Sequence, residues 1–237
     1  MAGCAHLASR VAALDPDALW KIVGLQCVPS QRDLHRPGQC TFVDLTQRYA
    51  VLKDISGRAQ HLLIPTDRIT GIESPEIVAA DAPEYWSYAW LSRRYVEASL
   101  KQTVTANAMG MEINSKYRRS QQQLHIHLDC MRKDVTTALA SHRNDTVGQW
   151  RWDTLDGQRY RIMRVTSLTQ TNNPFHIVAR DKKDPVAMGM QTILVTGASA
   201  STTQDGWLIV NSGMDVDNGS GSAEGLLDHG CAIAPRH

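Results

Sequence analysis

Ten residues, Gln121 to Cys130, constrain this chain most: Gln-Gln-Gln-Leu-His-Ile-His-Leu-Asp-Cys. Polar and apolar residues alternate there with a period of two, the pattern of a β-strand with unlike faces. Gln123, His125, His127 and Asp129 fall on one side, and Leu124, Ile126, Leu128 and Cys130 on the other, toward a core. Two imidazoles one pleat repeat apart, roughly 7 Å along the strand, are uncommon on a half-buried strand unless they are used.

The chain around this strand has 237 residues, enough for one large domain or two small ones. No linker is long enough to separate domains, so residues 1–237 read as a single one. An apolar fraction of 42% supplies a real core, and a net charge of +1 gives no global field toward nucleic acid. Any basic binding surface must therefore be local. No apolar run reaches the eighteen or more residues that cross a bilayer.

Met1-Ala2-Gly3-Cys4 resembles a start methionine placed just before the end of a bacterial lipoprotein signal, which predicts an upstream apolar segment and export. Setting Cys4 aside, Cys27, Cys40, Cys130 and Cys231 are even in number and contain no CxxC pair. Two disulfides in an oxidising compartment fit this better than a zinc ribbon, with four buried free thiols as the alternative. Three pairings are open. The local one joins Cys27 to Cys40 across a loop with Pro29, Pro37 and Gly38, and leaves Cys130 to tie Cys231 and the C-terminal tail to the histidine strand.

Secondary-structure signals follow in order. A short helix is expected over 18–26, a loop over 27–40, and strands over 49–54 and 61–64 around a turn at Ser56-Gly57. A helical piece begins at Ser74-Pro75. A long helix runs from Pro83 to about Gln102, its Trp86, Tyr88 and Trp90 forming either core or an apolar wall for a ligand. A strand over 109–114, a basic loop over 115–122 and the histidine strand lead into a helix from Lys133-Asp134 to about His142. Hairpins then follow at 149–165, around Asp156-Gly157, and at 190–211, with a helix at Asn173-Pro174 and a last helical turn at 223–227. The fold class is α+β with antiparallel sheet.

Imidazole is a competent nucleophile toward phosphorus, and two histidines on one strand face can divide attack from proton handling. The preceding loop offers Lys116, Arg118, Arg119 and Ser120, the groups that neutralise phosphate oxygens. A phosphoanhydride is the substrate class this chemistry favours. A rival use joins His125 and His127 to His61 as a three-histidine zinc site, but no carboxylate or cysteine stands beside them at ligand spacing, so no metal is expected.

At these residues the sequence resembles the histidine-triad nucleotide hydrolases and transferases. Asp54-Ile55-Ser56 and His61-Leu62-Leu63-Ile64-Pro65 are similar to that family's hairpin, and Asn114 stands near its site asparagine. The likeness is closer to the CDP-diacylglycerol pyrophosphatase branch. It is carried by Lys21-Ile22-Val23, Tyr49 to Asp54, Pro65-Thr66, Arg68-Ile69, Glu73-Ser74-Pro75, Ile113-Asn114-Ser115, His125-Ile126-His127, the four cysteines and the Asp228-His229-Gly230-Cys231 tail.

This resemblance implies a histidine-triad-like antiparallel sheet with flanking helices and a C-terminal region of further hairpins. It implies hydrolysis of CDP-diacylglycerol to CMP and phosphatidate, without a cofactor, at the periplasmic face of a bacterial inner membrane. His125 maps to the nucleophile and His127 to the third triad position, with His61 assisting. Asp54, Asn114, Ser120, Gln123, Lys116, Arg118 and Arg119 are the expected substrate-binding residues. The first triad position holds Gln123 where the family has histidine, and Gln can orient but carries no charge. Two other readings stay open: a related enzyme acting on another CDP- or ADP-linked compound, and an inactive nucleotide-binding protein. Oligomeric state is not legible.

Overall fold

A computed structural model describes residues 15–182, 184–200, 205–215 and 220–234. The expected lipoprotein-like start at Cys4 lies outside them. The architecture is α+β, built on one antiparallel sheet. Its strands are β1 (Phe42–Asp44), β2 (Tyr49–Lys53), β3 (His61–Pro65), β4 (Met109–Ile113), β5 (Ile126–Met131), β6 (Trp150–Leu155), β7 (Gln158–Val165), β8 (Gln191–Gly197), β9 (Trp207–Gly213) and the short β10 (Leu227–Asp228). They lie in the order β1-β2-β3-β5-β4-β8-β9-β7-β6. The helices that frame the site are α1 (Ala18–Ile22), α2 (Val28–Leu34), α3 (Tyr85–Leu100) and α4 (Lys133–Leu139).

β10 has a special place. β3 pairs with the first half of β5, from Ile126 to Leu128, and β10 pairs with Cys130 and Met131. The C-terminal tail is thereby brought beside the histidine strand. Gly110, the register partner of Asp129 on β4, makes this possible, because a Cβ there would stand 2.4 Å from Leu227 and 2.6 Å from Met131.

Residues opposite each other in the register share a face of the sheet. Ile126, Leu128 and Cys130 join Val51, Leu63, Met109, Met111 and Val195 on one face, beneath α3. Trp86, Trp90 and Phe175 fill this face, and Tyr88 stacks on Tyr49 with ring centroids 5.0 Å apart. The aromatic cluster of α3 is thus core, not a ligand wall.

The other face has two apolar ends. Leu62 and Ile64 pack with Leu19, Val23 and Cys27 at one end. Met131, Leu194 and Val210 pack with Val135 and Leu139 of α4 at the other. The polar stretch of β5 lies between these ends.

Two boundaries differ from expectation. Helix α1 continues through a wide turn, Val23–Cys27, into α2. Pro29, second in α2, directly follows this wide turn, where the ordinary bonding ladder of an α-helix is already interrupted. The histidine strand starts at Ile126 and not at Gln121, because Gln123 turns aside to donate its amide to the carbonyls of Pro65 and Asp67 at the end of β3.

Disulfides join Cys27 to Cys40 and Cys130 to Cys231. The second closes a span of 101 residues, worth about 4.7 kcal/mol in a chain-entropy account. Such bonds persist in oxidising compartments, so the chain is extracytoplasmic. Among the described residues no helix is long and apolar enough to cross a membrane.

Candidate active site

A cleft of about 450 Å³ opens on the polar face, between the N-terminal helices and the tail. His125 and His127 stand at its floor, their rings edge to face with centroids 4.9 Å apart. Each ring has one nitrogen fixed, and the two are fixed in opposite senses.

His125 Nδ1 lies 2.8 Å from the carbonyl of Gln123. A carbonyl only accepts, so Nδ1 carries the proton and Nε2 holds the lone pair. His127 Nδ1 accepts from the Gln60 amide at 2.7 Å. Its Nε2 therefore carries the proton, and this buried group has no partner among the described residues. Burial lowers the pKa of both rings, that of His127 well below the usual range, and His127 is pushed further by the two neighbouring imidazoles. Both rings are neutral at pH 7.

Around them the cleft is lined by Lys53 at the end of β2, by Asp54 and Ser56 from the β2–β3 turn, and by Asn114, Arg118 and Ser120 from the segment after β4. Asp54 Oδ1 accepts the amide of Ser56 at 2.8 Å, which fixes the turn. Asn114 donates to Glu224 at 3.2 Å, and its Oδ1 is buried with no partner among the described residues. Lys53 Nζ is held by the carbonyls of Asp54 and Gly57, at 2.8 and 3.3 Å.

Four expected site residues do not line this cleft. His61 is the register partner of Leu128, so it points to the α3 face, beside Tyr95, with Nδ1 bonded to the Ala59 carbonyl. It cannot touch the two cleft histidines, and a three-histidine metal site does not form. Gln123 is buried beneath the cleft in its bonds to β3. Arg119, nearly buried in a two-pronged pair with Glu73 at 2.6 and 2.7 Å, borders a small cavity beside Asn114 and His125, and its Nε has no partner among the described residues. Lys116 is exposed and packs toward Gly189, away from the cleft.

Gln60, Glu224 and His229 also line the cleft and were not singled out by sequence reasoning. Gln60 directly precedes β3. Glu224 lies on a 3₁₀ turn, and His229 follows β10. The Asp228-His229-Gly230-Cys231 tail and the polar alternation reaching Asp129 were the available signals for His229. The described residues also cluster Asp129 with Cys130 and Cys231 in metal-ligand proximity, but the two sulfurs are bonded to each other.

Neutral imidazoles of opposite tautomer, with a cation and an amide on the same wall, suit attack on a phosphorus whose oxygens need donors. Such a site suits the class of hydrolases that act on phosphorus-containing anhydrides. The chain matches the family model for CDP-diacylglycerol pyrophosphatase over residues 14–235 and belongs to that family. It is 37% identical over 223 residues to the CDP-diacylglycerol pyrophosphatase of Yersinia pestis, an alignment that covers 92% of this chain and 85% of that relative.

Proposed function

We propose that the protein hydrolyses the pyrophosphate bond of CDP-diacylglycerol with His125 as nucleophile. The His125 Nε2 lone pair forms a bond to the cytidine-side phosphorus, and the bond from that phosphorus to the bridging oxygen breaks, releasing phosphatidate. Water then displaces the histidine from the cytidylyl adduct to give CMP. The observation that carries this reading is the pair of opposite tautomers. The Gln123 carbonyl leaves His125 with an open nucleophilic nitrogen, and Gln60 leaves His127 with a buried N–H that lacks an acceptor.

A phosphate oxygen supplies the acceptor His127 lacks, and Asn114, Ser120 and Arg118 line the wall where the other oxygens would sit. We assign the ribose to Asp54, which lines the cleft at the turn. The apolar lining from Leu19, Ile22 and Leu52, continued by Ile55, which is 69% exposed at the rim, supports a mouth turned toward lipid. An extracytoplasmic enzyme with such a mouth works at the periplasmic face of the inner membrane.

His125→Ala should lower turnover at least about 10⁴-fold while melting at the wild-type temperature. Quenching the wild-type enzyme at low temperature with CDP-diacylglycerol labelled in the cytidine should leave the label on the peptide at His125. Label on His127, or none on either histidine, would end this reading. A panel of CDP-diacylglycerol, CDP-choline and an ADP-sugar decides the substrate, and preferential release of CMP from the lipid is expected.

A further inference from the structure

Nucleophilic attack by His125 and oxygen binding by His127 leave one ring of the cleft without a task. His229 reaches the cleft from 100 residues beyond Asp129, carried there by β10 and held by the Cys130–Cys231 disulfide two residues on. Its backbone is pinned as well. The Arg58 amide donates to the His229 carbonyl at 2.8 Å, and Gly57, at φ +71°, gives the His229 Cβ room that a side chain there would crowd at 3.3 Å.

The ring is oriented by a carboxylate. His229 Nδ1 donates to Asp129 Oδ2 at 2.8 Å, and Asp129 is completely buried. Asp129 Oδ1 takes the Cys130 amide at 2.8 Å. With Nδ1 engaged, Nε2 is left on the cleft side, 3.6 Å from Glu224 Oε1. The same Glu224 oxygen stands 3.9 Å from His127 Nδ1, so His229 and His127 flank one carboxylate.

We propose that His229, oriented by Asp129, is the proton carrier of the reaction. This rests on the His125 reading given above. As imidazolium, His229 gives its Nε2 proton to the bridging oxygen while the bond from that oxygen to the cytidine-side phosphorus breaks, so phosphatidate leaves protonated there. As neutral imidazole it then takes a proton from the water whose oxygen bonds to the cytidylyl phosphorus. The phosphorus–nitrogen bond breaks with its electron pair returning to His125 Nε2, and both rings end as they began.

The charges around His229 fit this order. Asp129 from β5, Glu224 from the tail and Asp54 from the β2–β3 turn all favour its cationic form, led by the Asp129 bond, and His127 facing it is neutral. Burial holds His125 in the opposite, unprotonated form. Two groups whose surroundings push their pKa values apart are the arrangement acid–base catalysis needs.

His229→Asn tests this, and because His229 is 42% exposed on its side chain the change leaves the core intact. With CDP-diacylglycerol in detergent micelles, kcat should fall about 10²- to 10⁴-fold with KM little changed, and the basic limb of the pH–rate profile should vanish. With cytidine 5′-(4-nitrophenyl phosphate), whose leaving group departs as an aryl oxyanion with its charge spread into the ring, the variant should still release one nitrophenolate per enzyme in a burst and then stall. Asp129→Asn, which leaves the ring in place but removes its carboxylate, should lose most of the same rate on the lipid. Wild-type turnover of the lipid by His229→Asn, or equal loss of the burst and of lipid turnover, would overturn the assignment. A failure of the underlying reading shows separately, as a wild-type enzyme that releases CMP from CDP-diacylglycerol but carries no cytidylyl label on His125 after the low-temperature quench.

Discussion

Along β5, Ile126, Leu128 and Cys130 alternate with His127 and Asp129, and the two sets meet opposite surroundings. The first set lies under α3 among Met109, Met111 and Trp86, with side chains filling the space between sheet and helix. The second set lies between two smaller apolar clusters that leave a cleft between them. Buried carboxylate, amide and imidazole groups collect there: Asp129, Glu112, Asn114, His125 and His127. Burying such groups costs free energy unless each finds a partner. The α3 face therefore supplies the stability, and the polar face gives some of it up for a preorganised site.

The contrast predicts that neighbouring residues of one strand fail in different ways. Leu128→Ala opens a cavity beneath α3 and should cost about 2–5 kcal/mol of stability, with kcat of the remaining folded enzyme near wild type. His125→Ala should do the reverse. Urea unfolding and initial rates, measured on both variants, decide this. A Leu128→Ala protein that melts normally, or one that folds and is inactive, breaks the division of labour between the faces.

The alternation from Leu124 to Cys130 made the division legible in the sequence, because a period of two sorts side chains by face wherever the chain is a strand. The same rule could not place His61. Its own strand reads His-Leu-Leu-Ile-Pro, apolar on both faces, so nothing in the residues says which side His61 takes. That is set by the register of β3 on β5, a tertiary fact. Arg119 was equally opaque, since its neighbours describe a basic loop and only the fold brings Glu73 against it. His229 was visible within a familiar tail but had no role until β10 carried it to Asp129. The continuous helical segment through Pro29 was missed because Pro and Gly between two cysteines read as a loop, whereas Pro29 directly follows a wide turn that already interrupts the helical ladder. The two disulfide pairings, in contrast, are those that local spacing favoured among the three left open.

Glu112 sharpens the contrast through pH. It is the register partner of His127 and fully buried. One of its oxygens accepts from Thr192 Oγ1 and the Ala223 amide, and the other has no partner among the described residues. Burial, with Glu224 nearby, raises its pKa to about 8. Below the ordinary glutamate pKa, folded and unfolded chains both hold the proton, so no penalty exists. As pH rises toward 8 the unfolded chain releases it while the folded chain retains it, and stability falls across that window. Glu112→Gln, neutral at every pH, should remove this slope. At pH 8.5 it should be more stable than wild type by a few kcal/mol, with little difference at pH 4. Parallel melting curves at all pH values for the two proteins would show that Glu112 is ionised in the fold.

The smallest expected effect comes from a histidine on the wrong side. His61→Phe keeps a ring against Tyr95 and loses only the bond to the Ala59 carbonyl. That bond is worth about 1 kcal/mol. The register of β3 puts the sheet itself between this ring and the cleft, so kcat for CDP-diacylglycerol should stay within about twofold of wild type, since no interaction peculiar to the transition state is removed. A fall in kcat of a hundredfold or more, roughly what losing a general acid or base costs, with the melting temperature retained, would mean that His61 reaches the reacting atoms. The two faces of the sheet would then not be chemically separate.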